Sequence, residues 1–299
     1  MNNVEQIASR VLGERTGEYK NYSPEVLTPV PRNLSLEHIG VKMEDLSGEG
    51  FDLWYSYEFN CLTSQGLPIS AVLKFIIPHT SKNIIESKSF KLYCNSFAGE
   101  KMGVTKEEAL ENVISIMKKD LSLSAEGDVQ VSIVDKNKRS KVFENYQDLM
   151  NFVNPRMEVF EYKENPNLLI IDSETEVENE YRLKFDALRS ACRITHQPDT
   201  GCAYIHYKSR KHINEESLVR YLSSLRFEYH FHEEILITVY KRLEDILNKD
   251  DLLECCALYQ RRGSLDIGPY HSKNIVNDCD KNNLLEKMAF SFDPENIMR

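Results

Sequence analysis

The sequence predicts an α+β fold built from two tandem ββααββ modules with antiparallel sheets. Three observations carry that expectation. Along 299 residues, a pair of strand-like segments, two helical segments and a return to strand occur in that order twice. Hydrophobic residues make up 41% of the chain, enough to bury a core in each half. The segment ESKSFKLYCNSF at 86–97 aligns without gaps against ESLVRYLSSLRF at 216–227, a weak repeat that gains weight from the matching element order.

Residues 1–50 are polar, carry Pro24, Pro29 and Pro31 close together, and read as an amino-terminal arm packed on the surface. The first module is expected over 51–163. Segment 51–60 is rich in aromatic residues and 67–78 in β-branched ones, with a Ser-Gln-Gly turn between them, so both read as strands. Segment 86–97 is a short helix. Segment 105–121 is a longer one, in which Thr105 and Glu108 have capping-box spacing. Its residues Ala109, Leu110, Val113, Met117 and Leu121 line one face. Segment 129–134 alternates as a strand does, and 156–162 is expected as its neighbour. Residues 164–180, rich in Asp and Glu, read as an acidic connection. The second module, 181–299, is expected to open with a hairpin of 187–195 and 202–208. Helices follow at 216–227 and 233–247, then a strand at 252–260.

The formal net charge of -10 argues against binding to a polyphosphate, which draws on clustered Lys and Arg, so no direct nucleic-acid partner is expected. The seven cysteines are odd in number, contain no CxxC pair and have no zinc-ligand spacing. With no signal-like apolar run at the start, they point to free thiols in a reducing cytoplasm and to no metal. No apolar stretch reaches the length needed to span a membrane.

Segment SACRITHQPDTG at 190–201 brings Cys192, His196 and Asp199 within a few residues of one another, at a strand end and in the turn after it. A thiol nucleophile needs a group to take its proton, and Asp199 across the turn can fill that role. On spacing alone Cys192 reads more readily as a small buried hydrophobe, as most free cysteines are. In FHEE at 231–234, His232 and Glu233 open a helix. The pair suits a polar heterocycle, with the carboxylate accepting N–H bonds, but an acidic first turn also caps a helix, and capping is the simpler reading. Lys88 and Lys91 share a helical face beside Ser87, an arrangement suited to phosphate or to plain solvation. Arg261, Arg262 and Gly263 form a second anion-binding candidate. No GxGxxG or Walker sequence is present.

Taken together, ESKSFKLY at 86–93, Cys192 with HQPD, FHE at 231–233 and RRGSLDI at 261–267 resemble, in that order, the long two-module form of the 7-cyano-7-deazaguanine reductases, the QueF-type nitrile reductases. PRNL at 31–34 and the GFDLWYSYEF region agree with it. The resemblance covers about residues 12 to 272. It implies the tunnelling fold (T-fold), a homodimer, sites at module interfaces, NADPH as cofactor and a free deazapurine base as substrate in queuosine biosynthesis. It also implies roles. Cys192 attacks the nitrile to give a thioimide, while Asp199 and His232 handle protons. Glu86 and Glu233 grip the guanine-like edge and Phe231 packs on the base. Ser87, Lys88, Lys91, Arg261 and Arg262 face the cofactor phosphates. Three positions depart from the pattern: Ala191 replaces a common Asn, Arg193 an apolar residue and Thr200 an aromatic one. An Arg beside Cys192 either points outward or lowers the thiol pKa. The rivals are an amidine-forming relative, disfavoured by the ESKSFKLY element, a zinc-dependent cyclohydrolase and a non-catalytic purine-binding module.

Overall fold

A computed structural model describes residues 21–134, 143–260 and 264–275. The chain is a mixed α+β structure in which most strand pairs are antiparallel. It divides into two compact units, one of residues 21–40, 51–134 and 264–267, the other of 41–50, 143–260 and 268–275.

The first unit contains β1 (Pro29–Pro31), α1 (Arg32–His38), β2 (Glu49–Thr63), β3 (Pro68–Pro78), β4 (Asn83–Ile85), α2 (Ser87–Asn95), β5 (Lys101–Gly103), α3 (Lys106–Ala125) and β6 (Gln130–Ile133). Strands β2, β3 and β6 form an antiparallel sheet, with short β5 parallel to β2. Every second residue of β3 from Ala71 to Ile77 is buried in one cluster with the apolar face of α3 and with Phe90 and Tyr93 of α2. Trp54 and Phe75 hold Phe90 between them at 4.8 and 4.9 Å. At the start of α3, Thr105 accepts the Glu108 N–H as expected, but the Glu108 carboxylate accepts from Val104, one residue before the position a capping box uses.

The segment read as a surface arm is more deeply built in than expected: Val30, Leu36 and Val41 are buried. Arg32 is buried too, 2.9 Å from Asp52, whose other oxygen lies 2.9 Å from His79. Burial works against the Asp52 charge, but Arg32 and His79 outweigh it and bring the carboxyl from 3.8 to about 2. Burial pushes the His79 imidazole below its ordinary value of 6.5.

The second unit contains β7 (Gln147–Asp148), β8 (Ile171–Cys192), β9 (Pro198–Ile213), α4 (Glu215–Ser224), β10 (Tyr229–His230), α5 (His232–Ile246), β11 (Leu252–Tyr259) and β12 (Leu265–Lys273), whose first three residues group with the first unit. The strand order is β10-β8-β9-β11-β12, and the two-residue strands β7 and β10 lie parallel to β8. One face of this sheet is a set of alternating rows: Leu183, Phe185 and, past a bulge, Leu188 on β8; Tyr207, Ile205 and Ala203 on β9; Leu253, Cys255 and Ala257 on β11. Leu218, Tyr221 and Leu222 of α4 and Ile235, Val239 and Leu243 of α5 close over these rows.

Three expectations are corrected here. The acidic stretch 164–180 is not a plain connection, because from Ile171 onward it is strand. Its carboxylates stand opposite lysines of β9, Glu174 against Lys211 and Glu180 against Lys208, and cross-strand charge pairing makes a strand of an acidic run. Segment 156–162 is not a strand. The Asn154-Pro155 pair turns the chain, with the Met157 N–H bonded to the Asn154 carbonyl, and Phe160 is 81% exposed. Finally, the gapless repeat misaligns the helices: the capping residues are Glu86 and Asn214, a shift of two, and Phe97 is buried where Phe227 is exposed.

The buried Arg32–Asp52–His79 group predicts an acid-sensitive first unit. Both folded-state pKa values lie below their unfolded values, so the unfolded chain takes up protons first and acid favours unfolding. Denaturant melts are expected to show stability falling as the pH drops below about 6.5, through His79, and again between about pH 4 and 2, through Asp52. Asp52→Asn should remove the second decline and cost about 3–5 kcal/mol at pH 7 by leaving Arg32 buried without its counter-charge.

Candidate active site

In the second unit the core rows end in polar side chains. On β8 the row continues from Leu188 to Ser190 and Cys192, because residues two apart share a face. Ser190 pairs with Asp199 across the β8–β9 ladder, so Asp199 lies on that face as well. Gly201 follows on β9 and pairs with Tyr259, the last residue of the β11 row. The glycine is required: a Cβ there would stand 2.6 Å from the Leu258 carbonyl oxygen. Cys192 and Asp199 are thus diagonal neighbours, a placement whose Cα separation is typically about 7–8 Å and shorter between side-chain tips.

The Cys192 backbone is held from both sides. Its N–H donates to the Gln197 carbonyl at 2.8 Å, and β10 runs beside it with His230 paired to Cys192. In the intervening turn His196 takes a left-handed φ of 57° and packs its ring 4.3 Å from Tyr229. His196 is therefore spent on the exposed turn, and a different imidazole meets Asp199. His232, first residue of α5, places Nε2 3.1 Å from Asp199 Oδ1 and stacks on Tyr259 at 3.9 Å with the rings nearly parallel. Asp199, His232 and Tyr259 come from three elements that converge over the end of the sheet.

The FHEE segment divides its labour. Glu234 does the capping, since its carboxylate accepts the Phe231 N–H at 2.8 Å. Glu233, one residue earlier, is buried. Arg193 neither points outward nor stands as an unscreened charge beside the thiol: it is buried, with Nη1 2.6 Å from Glu234 Oε1. His230 lies 3.4 Å from the other Glu234 oxygen and 3.5 Å from Glu228. Burial opposes its charge, but hydrogen bonds to these two carboxylates outweigh that and hold it at about 9. Ala191 is buried and donates its N–H to the Glu228 carbonyl. Thr200 points to the opposite face of β9 from Asp199, is exposed and donates to Gln260, so its departure from the family pattern falls outside this cluster.

Burial also sorts the thiols. Among the described cysteines Cys192 is the one that is not buried. Burial raises the pKa of Cys61, carries Cys94 to about 12, and pushes Cys202, Cys255 and Cys256 up as well. Since the thiolate is the nucleophile, those five are poor candidates.

The remaining sequence candidates lie in the first unit. Glu86 is the N-cap of α2, its carboxylate accepting from the N–H groups of Lys88 at 2.8 Å and Ser89 at 2.6 Å. Burial raises its pKa despite these bonds. The amides expected to receive a phosphate are therefore already engaged by the chain's own carboxylate. Ser87 is exposed, and Lys88 and Lys91 are half-buried. Arg261 and Arg262 lie outside the described residues. Sequence reasoning missed Tyr259, Glu234 and His230. The alternation of 253, 255, 257 and 259 along β11 is the signal that would have found Tyr259.

Comparison with known proteins finds relatives of both halves of the chain. Residues 19–133 match the family model described as nitrile reductase, 7-cyano-7-deazaguanine-reductase N-term, and residues 198–277 match one described as QueF-like protein. An NADPH-dependent 7-cyano-7-deazaguanine reductase of Colwellia psychrerythraea is 34% identical over 277 residues, which is 91% of this chain and 94% of that one. Asp199, His232 and Glu233 fall within the second family match, whereas Cys192 falls between the two.

The sorting of thiols by burial predicts selective chemistry. Brief iodoacetamide treatment of the native protein at pH 8, followed by peptide mass analysis, should modify Cys192 at least about tenfold faster than any of the five buried thiols. Equal labelling of Cys202 or Cys94 would refute this.

Proposed function

The chain belongs to the 7-cyano-7-deazaguanine reductase family of nitrile reductases, and on that premise we propose that it reduces the nitrile of 7-cyano-7-deazaguanine to the aminomethyl group with NADPH, using Cys192 as nucleophile. The observation that carries the site assignment is the convergence of a partly exposed thiol, a buried carboxylate and an imidazole at one end of the sheet, with His232 3.1 Å from Asp199.

The chemistry follows from that arrangement. A nitrile is a poor hydride acceptor, so the Cys192 sulfur first adds to the nitrile carbon while a proton passes to nitrogen, giving a thioimide. Asp199, diagonal to the thiol, takes the thiol proton and delivers it, and His232 holds the carboxylate in place and shares its proton. NADPH, when bound, supplies hydride. After one reduction the C–S bond breaks, the thiolate leaves and an imine remains. After a second, the primary amine is complete. Two NADPH and two protons are consumed per amine. Glu233, buried at the start of α5, is the acceptor for the N–H groups of the guanine-like edge, with Phe231 packing on the base.

Glu86 is assigned to the substrate as well. A carboxylate offers about four acceptor positions, and its capping bonds to Lys88 and Ser89 leave others for a ligand. Lys88, whose charge also acts on the Glu86 carboxyl, and Lys91 are assigned to the cofactor phosphates beside the Ser87 hydroxyl. Arg261 and Arg262 complete that assignment. The reading extends to a T-fold for each unit, supported by two long strands, two helices and a further strand in that order in each once the short strands and α1 are set aside, to a homodimer, to cytoplasmic queuosine biosynthesis and to no direct contact with nucleic acid. No helix among the described residues is long and apolar enough to cross a membrane.

Mixing the protein with 7-cyano-7-deazaguanine alone should add the mass of one substrate to the chain, at Cys192, and Cys192→Ala should abolish the addition. With NADPH present, two equivalents should be oxidised per amine. Asp199→Asn should slow adduct formation by about 100-fold or more, the usual contribution of a positioned proton-transfer group. An ammonia-dependent amidine with no NADPH oxidation would instead place the chain with the amidine-forming relatives.

A further inference from the structure

The mechanism above uses neither Arg193 nor Glu234, yet the two form a buried ion pair, 2.6 Å apart and each 1% exposed at the side chain. Burying two charges is poor economy if stability is the only return, because desolvation cancels most of their attraction. The best-attested use of such a pair is to fix a register, and its connections identify which one. Arg193 directly follows Cys192. Glu234 directly follows Glu233 and stands two residues after His232. Through Oε1 Glu234 holds Arg193, and through Oε2 it accepts the Phe231 N–H, so one carboxylate ties the end of β8 to the start of α5. The Arg193 guanidinium also lies over the Phe231 ring, 5.7 Å from its centre. Glu228 and His230 close the group with one more anion and cation, so the charges balance. Beyond Cys192 the strand gives way to a five-residue turn with His196 left-handed, whereas Asp199 is held in the ladder by Ser190 of β8, two residues before Gly201 pairs with Tyr259 of β11.

We propose that the Arg193–Glu234 pair is a positioning clamp that holds the Cys192 thiol at its working distance from Asp199 and His232. Arg193 and Glu234 are positioning residues, acting through Cys192 and through the first turn of α5. This rests on the assignment of Cys192 as nucleophile.

The test measures the rate of covalent adduct formation with 7-cyano-7-deazaguanine in the absence of NADPH, together with the pH profile of Cys192 alkylation by iodoacetamide. The double variant Arg193→Met with Glu234→Met replaces the pair by apolar side chains, an exchange that often leaves stability unchanged. Its adduct rate should fall about 10- to 100-fold, the scale of a misplaced reacting group, with the alkylation profile unmoved. Glu234→Gln keeps an acceptor for the Phe231 N–H but loses the charge, and guards against a double variant that does not fold. It should lose about tenfold, and Arg193→Lys, which keeps the charge but not the planar group over Phe231, should fall between wild type and Arg193→Met. Adduct rates of both Glu234→Gln and the double variant within about threefold of wild type would overturn the clamp alone. So would a rate loss explained by a shifted alkylation profile, because Arg193 would then act on the thiolate charge and not on its place. A wild-type protein that forms no adduct would overturn the nucleophile assignment, and the clamp with it.

Discussion

The register of β8 against β9 is the constraint on which the site depends. Side chains alternate along a strand, so a slip of one residue would turn Cys192 away from Asp199 and expose Leu183, Phe185 and Leu188 in the same movement. The apolar rows under α4 and α5 therefore do more than stabilise the unit. They fix, by simple continuation, which polar groups meet at the end of the sheet. The site costs little additional structure because its thiol and carboxylate are the final positions of rows the core already needs, and α5 adds His232 at the point where the last row ends on Tyr259.

Much of this is legible in the sequence alone. The strands around 51–60 and 67–78, the amphipathic face from Ala109 to Leu121 and the hairpin that carries Cys192 are all periodic, and periodicity survives in a sequence read alone. The acidic stretch was misread because its strand character comes from lysines more than twenty residues away on β9, which local composition does not reveal. The 156–162 segment failed for the opposite reason: its apolar residues look strand-like, but a preceding Asn-Pro turn decides its backbone.

The candidate residues divide along similar lines. Cys192 and Asp199 are seven residues apart and joined by a hairpin, so their meeting follows from local geometry. The choice of His232 over His196 depends on α5 returning to the sheet, a contact some thirty residues distant that no spacing rule supplies. Arg193 was visible as an oddity and not as a clamp, because Glu234 reads as an ordinary capping residue until the ion pair is seen. The first-unit candidates show a further limit. A basic helix start suggests open amides, whereas Glu86 folds back to occupy them.

The burial pattern of the cysteines also sets how the protein meets oxidants. Peroxide attacks thiols that are accessible and can ionise, which concentrates damage on Cys192. A sulfenic acid formed there finds no accessible partner thiol among the described residues, since the other five are enclosed in the core or the sheet. No internal disulfide is available from those residues to shelter it from further oxidation, so recovery depends on a small thiol from the surroundings reaching the partly exposed Cys192.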